Sequence, residues 1–341
     1  MGHENNRRWR SLLWAVLMIA LVSGCAATGA PEGAALPAAE PSPALEPVGL
    51  AGGERLRVVA TTSIVADVVR NVGGERIELA MLMPLGADPH AFEPTPQDAA
   101  LIGDAHVVFA NGAGLEAFMD RLLASAGEGT PVVELSHDVP LLEFADDHDD
   151  ADDHDDDDHD HEGDDPHVWF DPRNVKIWVA GIEAALSALD PGGATIYSDH
   201  AEAYLAELDE LDSWIRAQVA RVPETRRKLV TDHSVFAYFA TAYGFEQVGV
   251  VTAGSSTLSA PSARELAALQ DTIREEGVAA IFVGTTIDPR MVEQIAADVG
   301  IEVVPVYTGS LSESGGPADT YVNFMRYDVG QIVNALRGHG E

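Results

Sequence analysis

The chain has 341 residues, with 56 acidic side chains against 20 basic ones; the resulting net charge of −36, without a basic patch, excludes nucleic acid as a partner and favours cations. A single cysteine excludes a disulfide framework and any cysteine-based zinc site. Fourteen of the acids, and no bases, fall within residues 146–165, leaving −22 for the remainder.

From the N-terminus, Arg7, Arg8 and Arg10 precede an apolar run, Leu12 to Val22, that is too short to span a bilayer comfortably. Val22-Ser23-Gly24-Cys25 follows. A basic region, a short apolar run and small residues before a cleavage point form a secretory signal, expected over 1–24. Cys25 stands at the junction, and the segment looks like a bacterial lipobox in which that cysteine is lipidated. Residues 25–54, rich in Ala, Pro, Gly and Glu and without periodicity, read as a flexible tether.

Beyond the tether, short apolar strands alternate with helical stretches. Strands are expected at Arg57–Thr62, Ile77–Leu82, His106–Ala110 and Pro131–Leu135, with helices at Ile64–Val72, from Pro96 behind a Thr95 cap, and at Leu115–Ala126. Pro172–Leu189 reads as helix, Pro191-Gly192-Gly193 as a break, and Ala194 to about Val222 as one long charged helix. The alternation then resumes. Strands are expected at Lys228–Thr231, Glu246–Val251, Ala279–Val283 and Glu302–Pro305, with helices at Val235–Tyr243, Ser262–Glu276, Asp288–Val299 and about Ala318–Leu336. The pattern predicts an α/β protein: two lobes of parallel sheet flanked by helices, joined by one long rigid linker helix. The lobes are expected at 55–190 and 223–341, the linker at 191–222.

Asp146 to Glu162 holds four His (148, 154, 159 and 161), eleven Asp and one Glu, with no Lys or Arg. No folded core could bury such a segment, so the His/Asp-rich stretch, 144–165, reads as a solvated loop. An Asp run alone is usually a solubilising loop. Interleaved His turns it into a weak collector of divalent metal through His148, His154, His159 and His161. Three further histidines stand just past strand ends or in rigid turns: His90 in Asp88-Pro89-His90, His167 in Asp165-Pro166-His167, and His233 in Thr231-Asp232-His233-Ser234. In open parallel sheets, ligands sit beyond the carboxyl ends of the strands. A lone His is usually a surface or satisfied core residue, and His3, His106, His137, His200 and His339 are read that way. The shared placement of the other three points to a metal site between the lobes.

At these residues the chain resembles the zinc/manganese-binding lipoproteins that serve ABC importers. The matching stretches are Asp88-Pro89-His90-Ala91-Phe92-Glu93-Pro94-Thr95-Pro96, Asp165 to Pro172, Thr231 to Tyr238 and the end around Tyr321 to Tyr327. The resemblance implies a monomeric extracytoplasmic receptor, lipid-anchored to the cell membrane in the periplasm or at the cell surface. It captures Zn²⁺, or alternatively Mn²⁺, with His90, His167 and His233 as ligands, and delivers it to a membrane permease. It implies no enzyme activity. Many members carry an Asp as fourth ligand where this chain has Gly309. Its loss leaves the fourth position to water, a nearby carboxylate or a loop His, and favours zinc over manganese.

Two other readings compete. Gly112-Ala113-Gly114-Leu115-Glu116-Ala117 fits a dinucleotide fingerprint formally, with a tight strand-to-helix turn as the plainer account. Three His with an open position also suit a secreted zinc hydrolase, for which Glu93 is the nearest general base, although no His-Glu-x-x-His segment is present. A cell-adhesion protein that buffers metal is the remaining alternative.

Overall fold

Residues 45–127, 129–143, 163–252, 257 and 261–337 are described by the computed structural model. The chain divides into two units, Met1–Pro41 and Ser42–Glu341, and every described residue belongs to the second. Cys25 and the loop histidines His148, His154, His159 and His161 lie outside the described residues.

Two four-stranded sheets, parallel throughout, form the frame. The first contains β1 (Leu56–Ala60), β2 (Ile77–Met81), β3 (Val107–Ala110) and β4 (Val132–Glu134), in the order β2-β1-β3-β4. The second repeats that order as β6-β5-β7-β8, with β5 (Lys228–Thr231), β6 (Glu246–Val250), β7 (Ala280–Gly284) and β8 (Glu302–Val306). Val-Val-Phe-Ala in β3 and Ala-Ile-Phe-Val-Gly in β7 are buried along their whole length. Strands covered on both faces read as apolar runs rather than as alternation. Helices α1 (Ser63–Gly73), α2 (Pro96–Gly103), α3 (Met119–Ala126) and α4 (Pro172–Leu189) flank the first sheet. After α5 (Ala194–Val219) come α6 (Ala237–Tyr243), α7 (Ala263–Glu276), α8 (Arg290–Val299) and α9 (Tyr321–Leu336) around the second. In each sheet the chain steps outward from its first strand and then returns to the opposite side. The crossovers therefore diverge between β1 and β3, and again between β5 and β7, opening a crevice at the strands' carboxyl ends.

The linker α5 has 26 residues, about 39 Å at 1.5 Å per residue. Tyr197, Ala201, Tyr204, Leu208, Leu211, Ile215 and Val219 form its buried face at helical spacing. That face packs against α1, α4 and α9, so the helix joins both sheets to one apolar core. Phe170 packs with tilted rings 4.4 Å from Phe236 and 5.5 Å from Phe324, carrying the core across the molecule. The expected tether is also docked at its end. Leu45, Val48 and Leu50 lie against this core, and the Val48 amide donates to the Leu189 carbonyl at 2.8 Å.

Helix α3 begins at Met119, four residues later than expected from Leu115. Gly112, Ala113 and Gly114 adopt φ of 80°, 51° and 77°, which forms a turn instead of a first helical turn. Buried Glu116 then folds back, accepting the amides of Asn111 (2.8 Å) and Gly112 (3.0 Å) and the Thr61 hydroxyl (2.6 Å). A phosphate at this Gly-rich turn would need amides that Glu116 already occupies.

Candidate metal centre

His90 lies on the loop after β2, where the turn Asp88-Pro89-His90 is closed by the His90 amide donating to Asp88 Oδ1 at 3.0 Å. The other Asp88 oxygen accepts the Thr257 hydroxyl. His167 follows Pro166, whose carbonyl accepts the Asn111 side-chain amide at 3.0 Å. Asp165 Oδ1 takes both the His167 backbone N–H (2.9 Å) and its ring Nδ1–H (2.7 Å). His233 follows β5 directly, and its Nδ1–H meets Asp232 Oδ2 at 2.8 Å. Asp232 is fixed in turn, its Oδ1 accepting the Gly284 amide from β7 at 3.2 Å.

With Nδ1 bound to a carboxylate, the Nε2 lone pairs of His167 and His233 are free to face a ligand, and the paired carboxylates raise their basicity. One nitrogen from each of His90, His167 and His233 falls within 4.8 Å of the others, with two rings from the first half of the molecule and one from the second. His90 Nε2 and His167 Nε2 are 3.0 Å apart. Nitrogens bound to tetrahedral zinc at about 2.0–2.1 Å would stand about 3.3 Å apart, so little movement separates this cluster from a coordination shell. His167 and His233 are almost wholly buried, and His90 partly so.

Burial, with the two neighbouring imidazoles, pushes the His90 pKa down to about 2. Burial also lowers His167, against the opposing pull of Asp165. Both rings are held in the neutral form, the only form that can ligate a metal. An ordinary imidazole near 6.5 predicts that capture fades around that pH; burial moves the expected limit for these two rings lower.

Around the rings the cavity is lined by Asp88, Pro89, Thr257, Thr286, Thr308 and Gly309. Gly309, marked out in the sequence by the absence of a carboxylate, is thus part of the wall. Glu93 is exposed and does not line the cavity, which removes the one candidate base for a hydrolase. His106 and His200 serve elsewhere: His106 Nδ1 accepts the Arg57 amide at 3.0 Å, and His200 Nδ1 lies 3.1 Å from the Val72 carbonyl. Asp165 and Asp232 had not been singled out as partners of the histidines, although the Asp-Pro-His and Asp-His spacings carried that signal.

The profile described as zinc-uptake complex component A, periplasmic, matches residues 58–335. A manganese-binding lipoprotein MntA from Halalkalibacterium halodurans is 33% identical over 285 residues, covering 83% of this chain and 89% of that protein. The manganese ABC transporter substrate-binding lipoprotein PsaA of Streptococcus mitis is 29% identical over 293 residues, covering 84% of this chain and 91% of that protein. Among solved structures, the periplasmic zinc binding protein TroA from Treponema pallidum superposes with a TM-score of 0.74 at 28% identity, covering 83% of this chain and 99% of that one. With the profile spanning both sheets and the histidine cluster between them, the chain belongs to the periplasmic zinc-uptake component A family, whose members are solute-binding receptors of metal importers and not enzymes.

Proposed function

We propose that this chain is the extracytoplasmic, membrane-anchored receptor of a metal ABC importer. It captures one Zn²⁺ with His90, His167 and His233 and hands it to a membrane permease. The observation that carries the reading is the meeting of three imidazole nitrogens, contributed by both halves of the fold, within 4.8 Å. A wholly nitrogen donor set suits zinc, whereas manganese prefers oxygen-rich shells. Manganese is the second reading, favoured by the manganese named in MntA and PsaA. Lipidation at Cys25, metal collection by His148, His154, His159 and His161, and a monomeric state complete the proposal.

The packing of α5 against α1, α4 and α9 supports release through local loop shifts instead of wide opening of the two halves. Among the described residues, no helix is long and apolar enough to cross a membrane, which accords with a lipid anchor. Metal analysis of the purified protein tests the core of the reading. The wild type is expected to hold one tightly bound Zn²⁺ and His167→Ala none. Equal tight-site occupancy in both would overturn it. Competition between Zn²⁺ and Mn²⁺ decides between the two cargo readings.

A further inference from the structure

Tyr238 crosses from the side of the second sheet to the turn that carries His167. It stands in the first turn of α6, five residues after His233, and is 4% exposed. Its hydroxyl is used twice: it donates to the Asp165 carbonyl at 2.9 Å and accepts the Leu142 amide at 3.0 Å. The Asp165 amide donates in turn to the Leu142 carbonyl at 2.7 Å, which closes a ring of three hydrogen bonds. Beside that ring, Glu143 and Asp164 form an isolated antiparallel bridge.

Asp165 is therefore held at its amide, at its carbonyl and at its carboxylate, whose Oδ1 takes the backbone and ring hydrogens of His167 at 2.9 and 2.7 Å. Of these holds, the one on the carbonyl comes from the second half of the fold. A carboxylate orients an imidazole only as well as its own backbone is fixed. The Phe236 ring, 4.4 Å from Phe170, sets the distance between the two segments through an apolar contact, while the twice-bonded hydroxyl sets direction. His167 and His233, each backed by an aspartate, then stand with ring centroids 5.3 Å apart. A buried tyrosine hydroxyl needs a partner wherever it lies. Tyr243, on the same helix, meets that need with Asp212 of the linker helix at 2.8 Å. Tyr238 differs in that both its partners belong to the segments that carry Asp165.

We infer that Tyr238 is a positioning residue of the metal centre: from the second half of the fold its hydroxyl holds the Asp165 backbone, and so keeps the Asp165 carboxylate and the His167 ring aimed at the point shared with His233. The inference rests on the reading of His90, His167 and His233 as ligands. Tyr238→Phe keeps the ring and its packing and deletes one oxygen. The Leu142 amide and the Asp165 carbonyl lose that partner, and the unit of Asp165 and His167 gains freedom to tilt. The hydroxyl acts one step behind the carboxylate, so its loss should cost less than the about 10–100-fold expected for a carboxylate bonded to the ring.

The test uses the full chain as wild type, Tyr238→Phe, Asp165→Ala, the double variant of these two, Tyr243→Phe and His167→Ala. Zinc affinity is read by chelator competition and shell geometry from the visible bands of bound Co²⁺. Tyr238→Phe is expected to lower zinc affinity about 3–10-fold and to shift the Co²⁺ bands. Tyr243→Phe should lower the melting temperature and leave both readings unchanged. A loss under about threefold in Tyr238→Phe overturns the inference. So does an equal loss in Tyr243→Phe, which would reduce the effect to a general loosening of α6. With Asp165 replaced by Ala the hydroxyl has no carboxylate to steer, so adding Tyr238→Phe to Asp165→Ala should cost less than about half of its fold-loss in wild type; an undiminished loss also overturns the inference. Hydrogen exchange of the metal-free protein gives a reading that needs no metal. The Leu142 amide should be protected in wild type and exchange at least about tenfold faster in Tyr238→Phe. An unprotected Leu142 amide in wild type overturns the inference even if the variant fails to fold. The ligand reading fails separately, through undiminished zinc binding in His167→Ala.

Discussion

Asp165 makes the sharpest quantitative test of how the centre is built. The residue is 1% exposed, and one of its oxygens receives two hydrogens from His167, from the backbone at 2.9 Å and from the ring at 2.7 Å. Asp165→Ala leaves both donors buried without a partner, frees the imidazole to change tautomer, and removes the charge that makes Nε2 a better donor. Loss of such a supporting carboxylate costs about 10–100-fold in metal affinity. That is about 1.4–2.7 kcal/mol at 25 °C. Asp232→Ala removes the equivalent partner of His233 at 2.8 Å and should cost a similar factor. Because the two rings belong to one cluster, 5.3 Å apart between centroids, the effects should couple, and the double variant is expected to depart from the simple product. Asp165→Asn keeps an acceptor oxygen but no charge, so it should fall at the mild end of the range and separate orientation from basicity. The assay is competition against a chromogenic zinc chelator at pH 7.5, with melting of the metal-free protein as a folding control. An affinity for Asp165→Ala within twofold of wild type, in a protein that melts normally, would refute the argument.

The remaining tests follow from burial and charge. An imidazole of pKa 6.5 loses about 11-fold in competition with protons at pH 5.5, so two ordinary rings would cost about 120-fold. With His90 held at about 2 and His167 lowered, their share of that loss should be much reduced between pH 7.5 and 5.5 in a zinc titration; a fall of about 100-fold across that range, about 10-fold per ring, would show that these rings titrate as if exposed. The same shifts have a cost without metal. The rings' neutral burial is uncosted above the unfolded value of 6.5, and stability declines as pH drops below it towards the folded values, so the metal-free melting temperature should fall steadily from pH 6.5 to 4.5. Deleting 146–162 is expected to reduce metal stoichiometry while one tight site remains, as equilibrium dialysis would show; loss of that site as well would make the loop a direct ligand. Glu116→Ala orphans three donors (Thr61, Asn111 and Gly112) and should destabilise the protein by about 3 kcal/mol or more, read from denaturant melts. A change under about 1 kcal/mol would mean the turn is held by other contacts.

Strand–helix alternation made the architecture legible from the sequence, because buried parallel strands such as Val107–Ala110 and Ala280–Gly284 leave unbroken apolar runs bounded by turn residues. Boundaries were lost where a side chain reaches back into the backbone. Apolar periodicity extends α3 to Leu115, but Glu116 uses that segment to satisfy the amides of Asn111 and Gly112. The three histidines could be picked out by their positions past strand ends or in rigid turns, since topology determines which loops share a crevice. Their carboxylate partners were only partly legible, because the same Asp-Pro-His spacing occurs twice with different outcomes. Asp88-Pro89-His90 and Asp165-Pro166-His167 look equivalent on paper, yet Asp88 takes the His90 backbone amide and the Thr257 hydroxyl, while Asp165 takes both the backbone amide and the ring of His167. Gly309 stood out only through the resemblance; its place beside Pro89, far away in the chain, follows from the fold alone.

The seven buried residues of α5 recur every three or four positions from Tyr197 to Val219. Such a stripe acts like a keyed shaft. Inserting one residue near its middle would turn the downstream half by about 100° and advance it by 1.5 Å, sending Leu211 and Ile215 towards solvent. The number of residues between the halves is consequently locked by phase as well as by span, and any lengthening that preserves the interlock must come close to whole turns.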